Sequence, residues 1–100
     1  MVIHSSDQVL RLITQHKGAL KQFGVRHLGL FGSYSRGQNR TDSDLDFLVE
    51  LEKKSFDSYM GLKIYLENLF ERPVDLVLKD SLKPRLRENV LKEVVYAEGL

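Results

Sequence analysis

The chain has 100 residues, 42% hydrophobic and 29% charged, and its 15 basic and 14 acidic side chains leave a formal net charge of +1. That size predicts a single domain over residues 1–100, and the near-neutral balance argues against a chain-wide footprint for nucleic acid, which is not expected as a direct partner. Cysteine is absent, so disulfides and thiolate metal sites are excluded. The residues Met1 to Asp7 lack the basic start and apolar core of a signal peptide, and no apolar run spans a bilayer; a cytoplasmic protein without a membrane partner is expected.

In chain order, Val9, Leu10, Ile13, Leu20 and Phe23 recur at helical spacing and predict one helix over Ser6 to Phe23. Ser5 or Ser6 suits its start, and Gly24 suits a left-handed end. Val25 to Phe31 reads as a buried strand broken by Gly32. Ser33 to Gly37 reads as a short helical turn and Gln38 to Ser43 as a polar loop. Asp44 to Leu51 alternates, with Leu45, Phe47, Val49 and Leu51 on one face and Asp44, Asp46, Leu48 and Glu50 on the other. An amphipathic helix follows over Phe56 to Phe70, striped by Tyr59, Leu62, Leu66 and Leu69 and stopped by Pro73. Val74 to Leu78 is a strand that sets Asp75 and Val77 opposite Val74, Leu76 and Leu78. Pro84 opens a last helix containing Leu86, Val90, Leu91 and Val94. The fold class is therefore α/β (α+β): a small mixed β-sheet of three to four strands, backed on one face by helices.

The opposite face of that sheet would carry Asp44, Asp46 and Asp75. Clustered carboxylates repel one another unless a cation offsets the repulsion. Residues two apart on a strand point the same way, so Asp44 and Asp46 can share a metal, and Asp75 completes an all-oxygen set if its strand is adjacent. Such a set suits Mg2+ or Mn2+, not Zn2+. Two ions about 3.5–4 Å apart would orient an in-line displacement at phosphorus. Ten residues (34–43) lie between Ser33 and Asp44. Ahead of them, Gly32 lets the backbone approach a phosphate, and Ser33 adds a hydroxyl.

Rival motifs fail on named residues. A calcium-binding EF-hand loop built on Asp42, Asp44 and Asp46 would need glycine at Phe47 and a carboxylate at Lys53. A P-loop spanning Gly32 to Gly37 would need lysine at Gln38 and a hydroxyl residue at Asn39. His4, His16 and His27 fall in different elements without ligand spacing, and Arg85, Arg87 and Lys92 read as a solvated helix face.

Gly32-Ser33, Asp44-x-Asp46 and the later Asp75 resemble the motif of minimal nucleotidyltransferases in the DNA polymerase β-like superfamily. The resemblance includes Arg36-Gly37 after the Gly-Ser pair and the closing stretch from Leu82-Lys83-Pro84 to Glu93-Val94-Val95-Tyr96-Ala97, and that closing stretch resembles MntA-type antitoxins encoded beside HEPN toxins. The resemblance implies the nucleotidyltransferase fold, with ATP as substrate and two Mg2+ ions (or Mn2+) held by Asp44, Asp46 and Asp75. It implies that Ser33, at the Gly32-Ser33 turn, binds the triphosphate and that Asp75 helps activate the acceptor hydroxyl; Arg36 has two readings from its residue type, a nucleotide-binding neutraliser of phosphate charge and an exposed turn arginine. It also implies that the acceptor is a tyrosine of a HEPN ribonuclease, silenced by AMP in a hetero-oligomer. Larger superfamily members carry an extra recognition domain, so the partner is expected to supply part of the site. Two alternatives stand beside this reading: a non-catalytic antitoxin that neutralises by docking, and nucleotidyl transfer to RNA or a small molecule.

Overall fold

A computed structural model of the chain describes residues 6–32, 44–53 and 55–100. Its first helical segment is divided: α1 spans Ser6–Gln15 and α2 spans Lys17–Gln22, in place of the one predicted helix. The break is at His16, whose backbone sits at φ −105°, ψ 16°. Its N–H is shared between the carbonyls of Ile13 at 3.0 Å and Leu12 at 3.2 Å, a tightening common at helix ends. Its ring Nδ1 lies 2.8 Å from the Tyr65 hydroxyl, and Gly18, just beyond, adds little helical preference. Periodicity alone does not reveal this interruption, because Val9, Ile13 and Leu20 stay fully buried across it. As expected, Gly24 follows α2 in the left-handed region, at φ +84°.

Strands β1 (Val25–Phe31) and β2 (Leu45–Leu51), helix α3 (Phe56–Phe70) and strand β3 (Val74–Leu78) come next. Ser55 caps α3 by accepting the Ser58 N–H at 3.1 Å. The helix ends in a left-handed residue, Glu71 at φ 55°, so the stop precedes Pro73 rather than being made by it. A 3-10 turn over Lys79–Ser81 leads to α4 (Pro84–Glu93) and to a strand the sequence reading did not include, β4 (Val95–Tyr96). Val94, expected inside the last helix, is extended at φ −65°, ψ 135°. Consecutive Val94, Val95 and Tyr96 favour a pleated backbone. Gly29 makes the room: a Cβ there would lie 2.6 Å from Val94 Cγ2 and 3.0 Å from Tyr96 Cδ1.

The strands form one mixed sheet in the order β3-β2-β1-β4. β1 runs antiparallel to β2 and to β4, while β2 and β3, joined through α3, are parallel. Leu28, Leu30, Phe47, Val49 and Leu76 join Val9, Ile13, Leu20, Leu62, Leu66 and Phe70 in one core. The Phe47 and Phe70 rings stack at 5.7 Å. The tail divides, with Ala97 and Leu100 buried and Val95 and Tyr96 exposed. Among the described residues no polar or charged side chain is buried, and no helix is long and apolar enough to cross a membrane.

Candidate active site

Three strands bring Gly32, Asp46 and Asp75 to one end of the sheet. Because β2 and β3 are parallel, both strands begin at the same end, and Asp46 pairs directly with Asp75. Neighbouring strands lie about 4.8 Å apart, and paired residues project to the same side. That side is the one away from the core, since Leu45 and Phe47 flank Asp46, Val74 and Leu76 flank Asp75, and all four are buried. β1 runs the other way, so its last residue, Phe31, also pairs with Asp46. Gly32 thus arrives beside the carboxylates even though eleven residues separate it from Asp44 in sequence.

The approach at Gly32 is close. Its φ is +78°, and a Cβ built on it would run into Asp46 Oδ2, with Asp46 Cγ at 3.1 Å. Only a residue without a side chain meets both the left-handed backbone and this contact. Asp46 is half-buried, and Asp44 and Asp75 are exposed. Asp44, expected within the strand, sits one residue before β2 begins. Ser33 and Arg36 lie outside the described residues.

Among the described residues no three carboxylate or imidazole side chains gather into a metal-ligand set. What stands is a pair of carboxylates in register, with a third just ahead of the strand. This donor chemistry fits Mg2+, which takes one or two carboxylates and completes its shell with water and substrate phosphate oxygens. It does not resemble the closed nitrogen and sulfur cage of structural zinc.

Further along the same face, His27 Nε2 and Glu50 Oε2 are 4.0 Å apart, and the His27 and Tyr96 rings meet edge to face at 6.0 Å. Val94 and Tyr96 close over Gly29, and the described face is exposed at His27 as well as at Asp44 and Asp75.

On the core side, α3 holds the strand that carries Asp75. The Tyr59 hydroxyl donates to the Leu76 carbonyl at 2.5 Å. The Val74 N–H donates to Glu67 Oε2 at 3.1 Å, and Lys63 Nζ reaches the same oxygen at 3.1 Å. These two donors, the Val74 N–H first, hold the Glu67 carboxyl below the usual glutamate range. The sequence reading placed Tyr59 only in an apolar stripe and gave Glu67 no part. The one available signal was the Lys63/Glu67 spacing of an i,i+4 ion pair.

Residues 13–97 match the sequence model of the nucleotidyltransferase domain. The chain is 44% identical to protein adenylyltransferase MntA of Thermococcus cleftensis, over 96% of this chain and 99% of that one. A solved structure described as a candidate minimal nucleotidyltransferase superposes with a TM-score of 0.78 at 35% identity, covering 91% of this chain and 94% of the other. The fold also matches, with a TM-score of 0.64 at 22% identity and coverage of 91% and 73%, a chain from the complex of a tri-AMPylated Shewanella oneidensis HEPN toxin with its MNT antitoxin. Sheet order, the glycine against a strand aspartate, and these likenesses agree: the chain belongs to the nucleotidyltransferase-domain family, in its minimal, MntA-type branch.

Proposed function

We propose that this protein is a magnesium-dependent protein adenylyltransferase that moves AMP from ATP to a tyrosine hydroxyl of a HEPN-family toxin and so acts as its antitoxin in the cytoplasm. The observation that carries the reading is the register of Asp46 with Asp75 beside the close approach of Gly32. The similar MntA protein is named a protein adenylyltransferase, and a HEPN toxin bearing AMP is the partner in a complex of the same fold.

In this mechanism Asp44, Asp46 and Asp75 would hold magnesium, which would supply charge neutralisation at the phosphate oxygens for an in-line displacement. Gly32 receives the triphosphate at the same end of the sheet, and Ser33 and Arg36 are proposed as its further ligands. The acceptor oxygen forms a bond to the α-phosphorus as the bond to the β-phosphate's bridging oxygen breaks, and pyrophosphate leaves. Asp75 takes the proton that the acceptor hydroxyl gives up. The protein contributes position and preorganised charge more than covalent chemistry.

The test is incubation with ATP labelled at the α-phosphorus, together with a HEPN-type toxin, bulk RNA and small alcohols in parallel. Label is expected on a tyrosine of the toxin protein. Label on RNA alone, or on none of the acceptors, overturns the proposal.

A further inference from the structure

The strand carrying Asp75 is an edge of the described sheet, paired on one side only. In a parallel ladder, successive residues turn their backbone groups alternately toward one neighbour and the other. The Leu45 N–H donates to the Pro73 carbonyl at 3.2 Å, so the alternation directs Asp75 and Val77 toward β2 and leaves Val74 and Leu76 facing the edge. Those two residues are the ones α3 takes up. Glu67, steadied by Lys63, accepts the Val74 N–H, and Tyr59 donates to the Leu76 carbonyl. Edge groups commonly bond to water or to another chain. Here two side chains spaced about two turns apart on one helix fasten the backbone immediately before and immediately after Asp75.

We infer that Tyr59 and Glu67 are positioning residues that clamp β3 so that Asp75 stays in register with Asp46. This rests on the reading of Asp46 and Asp75 as the metal-holding carboxylates. Neither residue touches nucleotide in this account. Each acts through the strand backbone, and a shift of one residue in β3 would turn Asp75 to the core face. Partners that orient a ligand commonly alter metal affinity or activity by about 10–100-fold when removed.

The experiment uses the full chain with Tyr59→Phe, with Glu67→Met, with both changes, and with Glu67→Gln, whose amide oxygen still accepts the Val74 N–H. Two readouts are followed: amide hydrogen exchange at Asp75 and Val77, and affinity for Mn2+ from water-proton relaxation. In the double variant, exchange at those two amides is expected to rise about tenfold or more while α1 and β1 stay protected. The Mn2+ dissociation constant is expected to rise about tenfold, with Glu67→Gln close to the unaltered protein. Unchanged exchange at Asp75 and Val77 overturns the clamp. Faster exchange with unaltered Mn2+ affinity overturns its link to the site. If the double variant does not fold, Tyr59→Phe, which keeps the ring in the core, decides on the same two readouts. Should the unaltered protein bind no Mn2+ that Asp46→Asn removes, the functional reading fails, and exchange alone decides the clamp.

Discussion

Replacing Gly32 by alanine separates the cost of a strained backbone from the cost of a displaced carboxylate. At φ +78° an L-residue pays about 1–2 kcal/mol for the left-handed conformation. In a domain of this size that lowers Tm by roughly 5–15 °C. The added methyl also collides with Asp46 Oδ2 and comes within 3.3 Å of Asp46 Cβ, so the carboxylate or the Gly32 turn must move. Gly24 is the matched control. It has φ +84°, and a Cβ there meets nothing within 4 Å. Gly24→Ala should therefore lose about the same stability by the same strain, yet keep its transfer rate once assayed well below its Tm. Gly32→Ala should lose about 100-fold in kcat, the scale associated with a catalytic group misplaced by about 1 Å. Thermal melts give the first quantity, and initial rates of label transfer from ATP at saturating acceptor give the second. Equal activity losses in the two variants would refute the argument, because the backbone cost would then account for everything.

Other expectations concern the frame of the site. Gly29→Ala should loosen β4, since its methyl would meet Val94 Cγ2 at 2.6 Å; overpacking of this kind costs about 1–3 kcal/mol in denaturant unfolding, and exchange at Ala97, whose N–H donates to the Leu28 carbonyl at 2.9 Å, should rise. Phe70→Ala removes a fully buried ring stacked on Phe47 and should cost about 3–5 kcal/mol by the same measurement, a large share of a small domain's stability. Glu67 yields a pH dependence. Its folded carboxyl titrates below the usual range, so its contribution is present above that range and fades as pH falls through the lower folded value. The Tm advantage of the unaltered protein over Glu67→Met should thus shrink from near-neutral to acid pH, and a constant gap would contradict this.

Local signals explain what was legible in the sequence. β1 lies between Gly24 and Gly32, both at positive φ, and the stripe of α3 puts Leu62 and Leu66 into the core. Alternation told the two faces of β2 and β3 apart and left Asp46 and Asp75 outside the core cluster, although Leu48, on the face of Asp46, is also buried. The break at His16 was hidden because its ring finds its partner, Tyr65, on α3, far along the chain. β4 was hidden for a similar reason: a two-residue strand exists only because Gly29, distant in sequence, leaves space for it. The aspartates at 46 and 75 could be named as ligands from their residue type, but their pairing depends on β2 and β3 being parallel neighbours. The hydrogen bonds of Tyr59 and Glu67 to the backbone of β3 are likewise products of tertiary placement.

The central claim is tested most directly by changing the carboxylates and following the α-phosphate. With ATP labelled at the α-phosphorus and a HEPN-type toxin as acceptor, the unaltered protein should label the toxin, and ATP labelled at the γ-phosphorus should not. Asp44→Asn combined with Asp46→Asn should abolish the α-label while circular dichroism shows the fold intact. Full α-label transfer by that folded double variant would contradict the mechanism.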